Sequence, residues 1–140
     1  MTTAVIGRIM EDEDGKRLEY VSVGDSRIYR IRGKEIIRVT GKDEGEGSFI
    51  SNALGLKGMT VKKRGFIKLQ DGDCLIFCTD GITGDGKKLD DGRTDEFPEE
   101  RLVEIVQSAK SADEAAEIIL RESLKEDDRA LVVVGIKKEK

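Results

Sequence analysis

The chain of 140 residues contains no histidine. This absence excludes Ser-His-Asp hydrolysis, Cys-His hydrolysis and His-ligated zinc, because each of these sites requires an imidazole. Any chemistry must therefore come from carboxylates, Lys, Arg, Ser, Thr, Tyr, Cys or backbone groups. Among these options, carboxylates that hold a hard cation are the leading one.

The sequence also lacks long apolar runs, a secretory signal and a plausible cysteine pair. No segment approaches the roughly eighteen apolar residues of a membrane-spanning helix, and Met1 is not followed by a signal peptide. The only two cysteines, Cys74 and Cys78, would lie about 13 Å apart along one strand, which is too far for a disulfide. We therefore expect buried thiols, a cytoplasmic location and no membrane partner.

Charge is abundant but balanced. Charged residues make up 39% of the chain, and the net charge is −4. Because nucleic-acid binding requires a basic surface that displaces counterions from phosphates, we expect no nucleic-acid partner. Mixed-sign runs such as Glu11 to Lys16 are interpreted as solvated loops. The length fits one domain, so we treat residues 1–140 as a single domain.

The residue pattern predicts an α+β protein. Short apolar and β-branched segments predict strands at 2–9, 18–23, 28–32, 35–39, 60–69, 74–79 and 131–136. Between Phe97 and Leu124 apolar residues recur at helical spacing, which predicts two helices. A capping box from Ser111 to Glu114 marks the start of the second helix. Strands dominate, so the helices are expected to cover one face of a sheet.

Three aspartates lie where predicted strands begin or end. Asp25 separates two strands, Asp80 follows an apolar strand, and Asp127 precedes the last strand. In an antiparallel sheet the end of one strand lies beside the start of its neighbour, so the three carboxylates could meet at one edge. Such a cluster favours Mg²⁺ or Mn²⁺, since unneutralised carboxylates repel each other. Taken singly, each aspartate is more typical of an ordinary turn.

The segments around these aspartates resemble the metal-dependent protein phosphatases of the PPM type (type 2C). The resemblance covers nearly the whole chain and is carried by four ordered motifs: Gly24-Asp25-Ser26-Arg27, Leu54-Gly55, Thr79-Asp80-Gly81 and Glu126-Asp127-Asp128. Thr2-Thr3-Ala4 is similar to the start of the family's strand that precedes them. The Asp127-Asp128 pair is similar to the bacterial branch of regulators of sigma factors and sporulation.

This resemblance implies an antiparallel β-sandwich flanked by helix pairs and the removal of phosphate from phosphoserine or phosphothreonine by metal-activated water. It implies that Asp80 and Asp127 bind the catalytic Mg²⁺ or Mn²⁺ and that Asp25 belongs to a third metal position. Gly24, Ser26, Arg27, Gly81 and Asp128 would support the site, and no catalytic acid or base is assigned. A phosphoprotein would be the substrate.

The sequence also departs from the family pattern. The family carries two acidic motifs before the Thr-Thr-Ala strand, one of which supplies a metal-bridging aspartate, and neither occurs in the 140 residues. Ala130 stands where the family has threonine. Because only one helix pair is predicted, the other sheet should expose apolar side chains. We therefore expect low activity in isolation, and the alternative is a non-catalytic pseudophosphatase module that dimerises or binds a protein partner through this face.

Overall fold

A computed structural model describes residues 4–24, 26–40, 63–84, 88–124 and 129–137; within them, the side chains of Val23, Lys63 and Arg64 are left out of the description. The elements are β1 (Ala4–Asp12), β2 (Gly15–Val23), β3 (Arg27–Arg32), β4 (Glu35–Arg38), β5 (Lys63–Leu69), β6 (Cys74–Cys78), α1 (Asp80–Thr83), α2 (Glu99–Ser108), α3 (Ala112–Glu122) and β7 (Leu131–Gly135). The predicted α+β class is confirmed.

The strands form two antiparallel sheets. One has three strands in the order β1-β2-β5, and the other has four in the order β4-β3-β6-β7. All five strand pairings are antiparallel. The four-stranded sheet therefore brings together strands that lie far apart in sequence, with β3, β6 and β7 side by side.

Alternation along the strands divides the core into two clusters. Leu75 of β6 and Ile28 of β3 pack between the two sheets, against Leu18 of β2. Their neighbours on the opposite face of the four-stranded sheet, such as Ile76 and Tyr29, pack under the helices. Successive side chains of a strand point to opposite faces, so one sheet serves both clusters. This arrangement is a sandwich with helices α2 and α3 as a third layer.

The two longer helices begin as the sequence predicts. Glu114 donates its backbone N–H to the Ser111 hydroxyl at 3.1 Å, as an N-cap requires. The Glu114 carboxylate accepts a hydrogen bond from the Lys110 N–H at 2.8 Å, one residue before the position that a capping box uses. Pro98 lies at the N-cap of α2, within the predicted range.

The charged run from Glu11 to Lys16 is not a loop, and this prediction was wrong. β1 continues to Asp12 and β2 begins at Gly15, so only two residues form the turn. The charges are compatible with strands because they pair across the hairpin, as between Arg17 and Asp12.

The outer face of the three-stranded sheet carries exposed apolar side chains. Ile6 of β1 is 67% exposed and Phe66 of β5 is 65% exposed. In the described ranges, the helices that pack on a sheet lie on the four-stranded one. We call the face formed by Ile6, Arg8, Glu19, Val21 and Phe66 the outer face. Of the helices described, none is both long and apolar enough to cross a membrane.

Candidate functional site

Three strand ends meet at one edge of the four-stranded sheet. Cys78, the last residue of β6, pairs with Arg27 at the start of β3 on one side and with Leu131 at the start of β7 on the other. The pairing continues beyond the last residue of β6, because Thr79 donates its N–H to the Ala130 carbonyl at 3.1 Å. The Thr79 hydroxyl accepts a hydrogen bond from the Ala130 N–H at 3.2 Å.

Of the three aspartates predicted to bind metal, Asp80 is the one that lies among the described residues. It is half-buried and is the first residue of the one-turn helix α1, directly after the Thr79 contact with Ala130. Gly81 beside it is buried. Asp25, Asp127 and Asp128 lie outside the described residues.

The register nevertheless locates the chain on either side of these aspartates. Asp25 precedes β3 by two positions, and Asp127 precedes β7 by four. The described neighbours of all three predicted ligands therefore lie at the same sheet edge. Within the described ranges, no group of three or more Asp, Glu, Cys or His side chains could hold a metal.

The strand β3 is fixed in position by a residue that sequence reasoning missed. Thr40 is 1% exposed, and its hydroxyl accepts a hydrogen bond from the Ile28 N–H at 3.2 Å and lies 3.4 Å from the Ser26 carbonyl, to which it donates. The Val39 N–H donates to the Ile28 carbonyl at 2.8 Å. Thr40 thus holds the start of β3 at the site edge. A threonine after a short strand carries no motif that would reveal this role.

The predicted supporting residues before β3 are buried. Gly24 has φ of 91°, a conformation that suits glycine, and Ser26 is 3% exposed. Arg27 is 6% exposed, and its guanidinium donates to the Tyr29 hydroxyl at 3.0 Å. The Arg27 side chain therefore lies within the protein, next to Tyr29 of the cluster under the helices.

The two cysteines are free and buried. Burial raises the pKa of the Cys78 thiol to about 12 and that of the Cys74 thiol to about 11. Because a thiolate is the reactive form, neither side chain is a nucleophile at neutral pH. Their predicted role as apolar core residues is confirmed.

The polar segment of residues 85–96, called the flap below, is described only from Lys88 onward. Lys88 and Thr94 form an isolated β-bridge, and Asp91 binds Arg93 across the turn between them. Asp95 is 2% exposed and packs against Gly84 at the end of α1. This segment therefore supports the helical turn that carries Asp80.

A family model described as stage II sporulation protein E (SpoIIE) matches residues 1–137. A bacterial serine phosphatase superposes with a TM-score of 0.79 at 15% identity, over 99% of this chain and 59% of that one. The phosphatase domain of SpoIIE from Bacillus subtilis superposes with a TM-score of 0.55 at 21% identity, over 98% of this chain and 60% of that one. The catalytic domain of the phosphatase PstP, solved with two manganese ions, superposes with a TM-score of 0.64 at 24% identity, over 94% of this chain and 57% of that one.

These similarities establish the fold and the family. The chain spans at most 60% of the length of these three structures. Among curated proteins, none matches the sequence significantly. The family model covers almost the whole chain, and the superpositions share its antiparallel sheets and few helices. The chain therefore belongs to the SpoIIE family of metal-dependent protein phosphatases of the PPM type.

Proposed function

We propose that this chain forms part of a cytoplasmic phosphatase domain that removes phosphate from phosphoserine or phosphothreonine in a phosphoprotein. The observation that carries the proposal is the meeting of three strand ends at one sheet edge, where the flanks of Asp25, Asp80 and Asp127 lie. Membership of the family supports it. The free, buried cysteines suit a reducing compartment.

The residues at this edge fit a hard divalent cation. Asp80 offers a half-buried carboxylate on a turn held by backbone hydrogen bonds, and oxygen donors of this kind suit Mg²⁺ or Mn²⁺. Asp80 and Asp127 would hold the cation, with Asp25 at a further position. The bound cation would lower the pKa of a water molecule and stabilise charge on the phosphoryl group. Thr40, Thr79 and Ala130 keep the strand ends together.

We expect only weak hydrolysis from the 140 residues alone. The family's two acidic motifs before the Thr-Thr-Ala segment, including the bridging carboxylate, have no counterpart among these residues. Two cations close together require such a carboxylate to offset their mutual repulsion. Affinity for Mn²⁺ should therefore be low, and assays should use millimolar Mn²⁺.

Replacing Asp80 by asparagine tests the proposal. We expect the wild-type chain to hydrolyse p-nitrophenyl phosphate only with Mn²⁺, and Asp80→Asn to lose about 100-fold, since removing a ligand should cost at least as much as removing a residue that orients one. Asp90→Asn is the matched control, because Asp90 is exposed in the flap turn. Hydrolysis that needs no Mn²⁺, or equal activity of the two variants, would refute the proposal.

A second candidate function is a non-catalytic interaction module that dimerises through the outer face. The exposure of Ile6 and Phe66 favours it, because soluble proteins rarely leave such side chains in water as a patch. The occupant that we propose is a second copy of this chain. The outer face carries both signs of charge, with Arg8 bound to Glu19 at 2.8 Å, so a two-fold axis can match it to itself.

The size of the outer face sets the expected strength of this dimer. Three strands of about nine residues cover about 400 Å² at ordinary strand spacings, roughly half of a standard interface on each partner. The dimer should therefore be weak and appear only at high protein concentration.

Phe66→Glu should abolish dimerisation, since it replaces a largely exposed apolar side chain of the outer face by a charge. Sedimentation equilibrium across a wide concentration range measures the effect. Val132→Glu is the control, because Val132 is 56% exposed on the other sheet. A wild-type chain that stays monomeric at all concentrations, or a Val132 variant that loses the dimer equally, would contradict this candidate.

A further inference from the structure

Every carbonyl of the one-turn helix α1 has a hydrogen-bond donor. The Asp80 carbonyl accepts from the Gly84 N–H at 2.8 Å, and the Thr83 carbonyl accepts from the Phe97 N–H at 2.9 Å. The Gly81 carbonyl accepts from the Ser123 hydroxyl at 3.0 Å, and the same hydroxyl lies 3.4 Å from the Ile82 carbonyl. A four-residue helix can satisfy only the first of these carbonyls itself, so those of Gly81, Ile82 and Thr83 depend on partners from elsewhere in the chain.

Ser123 is firmly held where it makes this contact. It is 8% exposed and is the C-cap of α3, with its N–H donated to the Ile119 carbonyl at 3.0 Å. Ile119 is completely buried in the core under the four-stranded sheet. The Arg129 guanidinium also donates to the Leu120 carbonyl at 3.2 Å, across the same helix end. The hydroxyl is therefore fixed relative to the core.

Among the described contacts to the α1 carbonyls, Ser123 donates from its side chain, whereas Gly84 and Phe97 donate from their backbone N–H groups. They join α3 to the residue that directly follows Asp80, across 42 positions of sequence. A mutation can therefore remove this anchor without changing the backbone.

We propose that Ser123 is a positioning residue for Asp80, which fixes the carboxylate for cation binding. The inference rests on the proposed function. Without the hydroxyl, the buried Gly81 carbonyl would lack its donor, and α1 would shift to find water or another partner. Since metal ligands must be held to within about 0.5 Å, a small shift of α1 is enough to weaken cation binding.

Ser123→Ala removes the donor and should weaken Mn²⁺ binding by the 140-residue chain about tenfold, the lower end of the range for residues that orient ligands. Electron paramagnetic resonance measures this directly, because the signal of free Mn²⁺ disappears on binding. Ser111→Ala is the matched control: it removes one serine hydroxyl hydrogen bond at the other end of α3, away from Asp80, and should leave the Mn²⁺ affinity unchanged.

Each of the following outcomes would overturn the inference. Equal Mn²⁺ affinity of wild type and Ser123→Ala refutes the positioning role while Asp80 remains a ligand. Equal weakening by Ser111→Ala would show that the affinity follows the stability of α3. Failure of wild type to bind Mn²⁺, or binding unaffected by Asp80→Asn, refutes the proposed function as well.

A cysteine variant covers the case in which Ser123→Ala fails to fold. Ser123→Cys keeps a side chain of similar size with a weaker donor, so its affinity should lie between those of wild type and the alanine variant. Circular dichroism establishes that each variant is folded before Mn²⁺ is added. Wild-type affinity in Ser123→Cys, where the alanine variant cannot be measured, would refute the positioning role.

Discussion

Replacing Gly84 by alanine is expected to lower the free energy of unfolding by about 2 to 6 kcal/mol. Gly84 has φ of 75° and ψ of 177°, a region that only glycine occupies readily, and holding an alanine there costs about 1 to 3 kcal/mol. A Cβ at this position would lie 2.2 Å from the Asp95 carbonyl oxygen. Overlap with a backbone atom adds about 1 to 3 kcal/mol, because neither segment can move freely.

Neither segment can move because both are tied to α1. Gly84 donates its N–H to the Asp80 carbonyl, and Phe97, two residues after Asp95, donates to Thr83. The loss would be a large part of the roughly 5 to 15 kcal/mol that stabilises a domain. Denaturant unfolding followed by circular dichroism measures it.

Gly72→Ala is the control for the Gly84 variant. Gly72 also has positive φ, 90°, but nothing lies within 4 Å of its added Cβ. The free energy of unfolding of Gly72→Ala should therefore fall only by the cost of holding an alanine at positive φ, about 1 to 2 kcal/mol. If both variants lose the same free energy of unfolding, the Asp95 backbone moves away from the added Cβ and the predicted overlap does not occur.

Replacing Asp73 by asparagine is expected to cost about 3 kcal/mol at neutral pH. The Asp73 side chain is completely buried and accepts two hydrogen bonds of 2.9 Å from Arg32, and a third of 2.8 Å from the Gln70 N–H. Breaking a buried pair costs about 3 to 5 kcal/mol. The lower end applies because Arg32 is one-third exposed and water can reach it.

Asp71→Asn is the control for Asp73, two residues away in the same turn. The Asp71 side chain is half exposed, and its oxygen lies 3.6 Å from the Lys16 ammonium. An exposed pair of this kind contributes less than about 1 kcal/mol. A loss in Asp71→Asn as large as that in Asp73→Asn would mean that the charge of the turn, and not the buried pair, stabilises it.

The effect of the Asp73 variant should also depend on pH. Burial alone would raise the pKa of Asp73, but the hydrogen bonds from Arg32 and Gln70 outweigh it and hold the pKa below its ordinary value. The pair therefore stabilises the fold fully above the unfolded pKa of about 4, and this contribution is lost as pH falls through the lower folded pKa. The difference between wild type and Asp73→Asn should shrink at low pH; a constant difference would contradict this.

Sequence reasoning identified most elements because local patterns decide them. Alternation gave the strands, helical spacing and the Ser111 cap gave the helices, and these agree with the structure. Its position at a strand end and the family resemblance together singled out Asp80. The run from Glu11 to Lys16 was misassigned because high charge usually means a loop, whereas cross-strand pairing stabilises it as a hairpin here.

The long-range contacts that hold the site and the sheet in place could not be predicted from the sequence. Ser123 with Gly81, Thr40 with Ser26 and Ile28, and Arg32 with Asp73 each join segments between 12 and 42 positions apart. A serine, a threonine or an arginine can form hydrogen bonds almost anywhere, so its local sequence does not select the partner. The helical turn of Asp80 likewise depends on donors from α3 and from Phe97.

By itself, then, the sequence determined the order of strands and helices, the motifs and the family, because these depend on neighbours along the chain. The tertiary structure decided which strand ends share an edge, which face of a sheet stays exposed, and which side chains fix Asp80. These features depend on how distant segments pack and on which buried polar groups find a partner there.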